Sequence, residues 1–233
     1  MTFLEICKAV RRECGISGTG PAAVTGQTGE MLRIVNWVID SHKEICRLHD
    51  NWLFLRSSFT VDTVSGTASY LPSTCTDSRL SAAITAVKFN LWLTDTFRIY
   101  KSSDGVATQQ LFTFEDFEFF RDYYLLGTVA NARPAVFTIR PDDDAILPGP
   151  TPDAVYVITG DYQRFPADLA ADGDVPAFPA KYHDAVTWLA ARKYALYEEA
   201  AGLYRGANRE YARILSDLEL KFLPPIRVGG PLA

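Results

Sequence analysis

His42, Cys46 and His49 stand at i, i+4 and i+7 within one apolar-periodic stretch, a spacing that would put three soft-metal ligands in a single row on a helix. Such a row suits zinc, which takes four ligands in a structural site or three and a water in a catalytic one. The neighbouring residues signal no fourth ligand. A buried cysteine beside two half-exposed histidines is the reading preferred here, and no metal is expected.

The glycine-rich run Gly15-Ile16-Ser17-Gly18-Thr19-Gly20-Pro21, continuing to Gly26-Gln27-Thr28-Gly29, suggests a phosphate loop at first sight. That motif needs four residues between its glycines and then Lys-Ser/Thr, cradling phosphate at a helix start after a strand. Here five residues separate Gly20 from Gly26, Gln27 follows, and the upstream segment has helical spacing. The run is a connector. Gly15-Ile16-Ser17-Gly18-Thr19 also misses the last glycine of a nucleophile elbow. His183 has no nucleophile and carboxylate pattern around it. Asp142-Asp143-Asp144 lacks the alternating oxygens, central glycine and terminal glutamate of a calcium loop, and reads as a solvated turn. No catalytic residue, cofactor or metal site is selected, so an enzyme is not expected.

The elements that would carry these residues follow from apolar periodicity. Residues 2–14 place Phe3, Ile6, Cys7, Val10 and Cys14 at helical steps opposite Lys8, Arg11 and Arg12. A second helix is expected from Thr28, as a hydroxyl cap, to about Asp50, with Met31, Ile34, Val35, Val38, Ile39, Ile45 and Cys46 on its apolar face. Phe178–Phe222 is the longest clearly helical segment. One run starts after Pro179 with Tyr182, Ala185, Val186, Leu189 and Ala190, and the other carries Ala207, Tyr211, Ile214, Leu218 and Phe222. Gly202 and Gly206 mark the expected turn between them.

From Arg56 the period changes to two, with Phe59, Val61 and Thr63 forming a strand that turns at Ser65-Gly66 and pairs with Ala68–Leu71. Further strands are expected at 84–89, 96–100, 135–139, 145–147 and 154–162. One helix should interrupt them, opened by Thr113 as N-cap with Asp116 three residues on. Its residues Phe114, Phe117, Phe120, Tyr124 and Leu125 read as core. Phe165–Val175 is a linker returning the chain to the last helices. The fold class is therefore α+β: N- and C-terminal helices forming a helical bundle, with an antiparallel β module inserted. The expected domains are 1–55 with 176–223 (bundle), 56–175 (β-rich) and 224–233 (extended tail).

Across 233 residues, 48% hydrophobic and 22% charged, no apolar run approaches the ~20 residues of a membrane helix. The start Met1-Thr2-Phe3-Leu4-Glu5 lacks the basic flank and apolar stretch of a signal peptide, so residence in the cytosol is expected. Cys7, Cys14, Cys46 and Cys75 suit free thiols in a reducing compartment. A net charge of −5 argues against a protein that grips phosphates, although nucleic acid can slide past such a surface.

Three groups of residues together resemble the head-to-tail adaptor proteins of tailed bacteriophages. They are the opening Met1–Cys7 running into Gly15–Pro21; Gly26–Glu30 with Trp37-Val38 and Asn51–Arg56; and Phe178–His183 with Glu198-Glu199-Ala200 and Leu223-Pro224. The resemblance implies a non-enzymatic virion protein of the head–tail neck. It would be assembled in the host cytoplasm as a ring, usually a dodecamer, that docks beneath the portal and receives the tail or nozzle protein. Genomic DNA would pass through without being specifically bound. The tail residues Pro224, Pro225, Ile226, Arg227 and Val228 are the expected contacts to portal or a neighbouring subunit. The alternatives are another tail-completion protein, a glycan-contacting virion protein with Trp92, Tyr100, Tyr123 and Tyr124 lining a groove, or an enzyme whose site assembles only in the fold.

Overall fold

The computed structural model describes residues 1–85 and 89–225. The chain is mixed α+β and divides into two compact units, one of Met1–Leu55 with the chain from Pro166 onward, the other Arg56–Phe165.

The first unit opens with α1 (Phe3–Glu13), held at its start by a capping box in which Thr2 Oγ1 accepts from the Glu5 amide and Glu5 accepts from the Thr2 amide. Phe3, Ile6, Cys7 and Val10 are buried, and Gly15, at φ +68, ends the helix. Helix α2 (Gly29–Arg47) follows the glycine-rich connector. Thr28 occupies the N-cap position in extended conformation, but its hydroxyl makes no capping bond, contrary to expectation. Pro179 precedes a 3₁₀ turn at Ala180–Tyr182, and α4 proper begins only at Asp184, running to Tyr197.

Helix α4 packs against α1, α2 and the last helix, α5 (Ala201–Phe222). Its alanines Ala185, Ala190, Ala191 and Ala195 are buried beside Val186 and Leu189, letting three helices approach one axis. The turn into α5 is not at Gly202 and Gly206, which both lie inside the helix. Glu199 makes it, at φ +54, with the amides of Glu198 and Ala200 bonding back to Tyr194 and Ala195. A helical glycine costs about 1 kcal/mol. Burying Ala207, Tyr211, Ile214 and Leu218 on one face of α5 outweighs that. The segment after Pro166 is anchored rather than loose. The Phe3 and Leu4 amides donate to the carbonyls of Asp174 and Asp172, and the Val24 amide donates to the Asp172 carboxylate.

In the second unit, β1 (Arg56–Asp62) pairs with β2 (Thr76–Asp77) and with β9 (Tyr156–Arg164), not with Ala68–Leu71. The reason lies in Tyr70, whose buried hydroxyl bonds Val64 and Thr67 and closes that loop on itself. With β3 (Ala82–Ala83), β4 (Phe89–Lys101) and β5 (Gln110–Leu111), these form one six-stranded sheet ordered β3-β2-β1-β9-β4-β5. The strand expected at 84–89 is not formed at Ile84 and Thr85, its residues 86–88 lie outside the described ones, and Phe89 already belongs to β4.

A second sheet joins β6 (Thr113–Phe114), β7 (Val136–Ile139) and β8 (Ile146–Gly149). Its β6–β7 pairing is parallel, so the β module is not purely antiparallel. Thr113 therefore sits in a strand and is no helix cap. The cap of α3 (Phe117–Phe120) is Asp116, whose carboxylate accepts from the Glu118 amide. The chain then continues as a π-turn over Arg121–Leu125. Phe59, Phe97, Ile99, Phe112, Phe137, Ile158 and Tyr162 form the core of this unit.

Candidate functional site

The row His42–Cys46–His49 does not converge. The Ala177 amide donates to His42 Nε2 at 3.2 Å, and Cys46 Sγ lies 3.7 Å from that same nitrogen. His49 turns away to Glu219 at 3.0 Å and rests edge-on against Trp52. Among the described residues no group of three or more His, Cys, Asp or Glu side chains could hold a metal. His183 is buried, with Nε2 on the Phe178 carbonyl and Nδ1 beside Met1.

His42 is neutral by geometry, since its Nε2 accepts from the Ala177 amide, and it carries a pH consequence. Burial pulls its pKa down to about 4; the Asp168 carboxylate opposes this, while His183 and Lys43 add to it. A depressed histidine contributes stability that is whole above the unfolded value near 6.5 and is lost as pH falls through 4. At pH 4.5 the first unit should be weaker than at pH 7 by about 2–3 kcal/mol from this residue alone. Denaturant unfolding of His42→Gln, whose amide can still accept from Ala177, should show a pH dependence smaller by that amount.

The triple aspartate is occupied internally. Arg140 binds Asp143 by two bonds and reaches Asp142 at 3.3 Å, and the Ala145 amide donates to Asp143. The four-aromatic groove does not assemble either: Trp92 is buried, donating its indole N–H to the Asp144 carbonyl.

Asp77 is the most densely bonded carboxylate of the β unit. It is buried and accepts from Ser57 Oγ (2.9 Å), Tyr162 Oη (2.6 Å) and the amides of Arg79 and Leu80. Burial pushes its pKa up, but these bonds together outweigh that and hold it below the usual carboxylate value. With every acceptor position engaged on its own chain, Asp77 is a fastener between β1, β2 and β9.

Two surfaces remain open. At the end of α5, Leu223 turns extended (φ −91, ψ 146) and Pro224 and Pro225 are exposed; Ile226, Arg227 and Val228 lie outside the described residues. The other surface lies at residues 115–126, where of the five aromatic and leucine residues expected as core only Phe120 is buried, Phe117 and Tyr124 are half-buried, and Phe114 and Leu125 are exposed. Phe120 does point inward, resting where Gly149 has no side chain, but Phe119, Tyr123 and Leu126 form the opposite row and are exposed, Leu126 by 75%. Glu115, Phe119, Tyr123, Tyr124 and Val136 line a groove of about 210 Å³ there. The signal in the sequence was that 117–126 is apolar on both faces of the turn, which a one-sided core helix is not.

The chain is α+β, and apolar and proline-rich residues lie open on its surface. It belongs to the SU10 adaptor protein family, whose pattern matches residues 1–229. It is thus a structural phage adaptor, a virion component that interacts with other virion components such as portal and tail. No curated protein matches the chain. No helix among the described residues is long and apolar enough to cross a membrane.

Proposed function

We propose that this chain is the head-to-tail adaptor that docks beneath the portal as a dodecameric ring, joins capsid to tail or nozzle protein, and performs no catalysis. The observation that carries the reading is the family match over nearly the whole chain. The helical unit, 1–55 with the chain from 166 onward, acts as a bundle around α4 and supplies a stiff ring wall, with the β-rich unit, 56–165 and not 56–175, inserted. The net charge of −5 supports a DNA passage that repels phosphates and lets the genome slide. Assembly takes place in the host cytoplasm.

The tail, 224–233, is the docking element, with Pro224 and Pro225 stiffening it, Ile226 and Val228 as apolar anchors and Arg227 as the ionic contact. A prolyl-stiffened segment loses little entropy on lying in a partner's groove. Deleting residues 224–233 should leave unfolding of the isolated chain within about 0.5 kcal/mol of the full chain, because the exposed prolines carry few internal contacts. The same deletion should weaken ring assembly or attachment to portal-containing heads. Light scattering with size exclusion, alone and with portal, reads the first; co-sedimentation with heads reads the second. A truncated chain that assembles and sediments like the full one would remove the docking role.

A further inference from the structure

The exposed aromatic surface at the end of the β unit has a composition that specifies what should cover it. Phe119 and Tyr123 line its groove with Tyr124 and Val136, and Leu126, three residues beyond Tyr123, is exposed. Residues 115–122 carry four acids, Glu115, Asp116, Glu118 and Asp122, against the single cation Arg121, a local charge of −3. Arg121 pairs with Glu118 at 2.7 Å and Asp122 at 3.3 Å, so among the described residues Glu115 at the groove lip has no cationic partner. The aliphatic Val136 and Leu126 favour a peptide over a sugar, since a sugar-binding platform is made of flat aromatic faces with hydrogen-bonding groups around them.

The chain contains a segment of complementary chemistry. Residues 226–233, Ile-Arg-Val-Gly-Gly-Pro-Leu-Ala, hold one cation, no acid and three apolar anchors, Ile226, Val228 and Leu232. Extended, eight residues reach about 26 Å, longer than a groove of this size requires. The spacing of Ile226 and Val228 puts both on one side of an extended segment, with Arg227 on the other.

We infer that the acidic, aromatic surface formed by Glu115, Phe119, Tyr123 and Leu126 is a receptor for the C-terminal segment 226–233 of a second copy of this chain. Ile226 and Val228 fill the groove beside Phe119 and Tyr123, and Arg227 meets the unpaired Glu115. The inference rests on the adaptor reading only for its supply of neighbouring copies, and for a rotation between them that closes, which turns a heterologous contact, one surface meeting a different one, into a ring. It makes the tail a clasp between subunits.

The test uses a fluorescein-labelled peptide of residues 223–233 titrated into the chain lacking 224–233 and followed by anisotropy. Saturable binding is expected, weakened by added salt and by at least about tenfold in Phe119→Ser or Leu126→Ser. Both residues are exposed, so these variants should keep the near-ultraviolet dichroism of the parent. A peptide with Arg227→Glu should bind at least about tenfold more weakly. The full-length chain, at concentrations too low for it to self-associate, should bind the peptide as tightly as the truncated one. No saturable binding, or binding indifferent to Phe119 and Leu126, overturns the inference, as does a full-length chain whose surface is already blocked when dilute. Binding of an oligosaccharide to this surface in place of the peptide overturns it as well. Because no head or portal enters this experiment, its failure leaves the adaptor reading standing, and failure of head attachment leaves the peptide result intact.

Discussion

Asp77→Ala should destabilise the β unit by about 3–5 kcal/mol, the range for removing one member of a buried, charged hydrogen-bond network. The side chain accepts four bonds, and the substitution strands the buried hydroxyls of Ser57 and Tyr162 together with the amides of Arg79 and Leu80. These donors come from β1, β9 and the turn after β2, so the loss falls on the three-strand pairing at once. Asp77→Asn keeps one acceptor oxygen and should cost less, about 1–3 kcal/mol. Since the folded carboxyl sits below its unfolded pKa, its contribution is present above pH 4 and fades as pH falls further. Chemical denaturation and amide exchange of β1 and β9 read the effect. A variant within 1 kcal/mol of the parent, with protected β9 amides, would show that water replaces the carboxylate.

How much of this was legible beforehand differs by element, for physical reasons. The helices α1, α2 and α5 announce themselves because each buries one face, so Ile34, Val38 and Ile45, or Ala207, Tyr211 and Leu218, recur at turns of a helix, whereas α4 is buried on several sides. Strand β1 shows period two, its burial alternating along Arg56–Asp62. The strands β2, β3, β5 and β6 are two residues each, and two residues carry no period; they exist because a longer strand lies beside them. Thr113 could equally cap a helix or join a sheet, and proximity to Val136 decides it. Glycine misled at α5, where a left-handed Glu199 turns the chain and Gly202 and Gly206 are simply helical.

The candidate sites divide in the same way. Spacing alone lines up His42, Cys46 and His49, but the amide of Ala177 and the carboxylate of Glu219 come from more than a hundred residues away and draw the rings apart. Local sequence cannot report those partners. The aromatic surface was hidden for the opposite reason. Phe120 belongs to the interior and Phe119 to the outside, and the difference is one residue of rotation on a short helix.

Gly160→Val should abolish the folded β unit or weaken it by more than about 3 kcal/mol, the upper range for overpacking a core. Gly160 lies in β9, paired with Phe59, at the centre of the six-stranded sheet. A Cβ there would stand 2.6 Å from Phe97 Cδ1 and 2.9 Å from Phe59 Cε1. Neither ring can yield: both are fully buried, Phe97 stacks on Phe137 with centroids 4.5 Å apart, and Phe59 is wedged between Phe97 and Trp92. The missing side chain at 160 is therefore the space the two rings occupy, and a branched side chain would push β4 off β9. Gly202→Ala is the matched control. Nothing lies within 4 Å of its Cβ position and the residue is helical, so the alanine should stabilise by about 0.5–1 kcal/mol. Thermal and urea unfolding of the two variants should thus move in opposite directions. If Gly160→Val melts like the parent, the Phe59–Phe97–Phe137 stack has room that these distances deny.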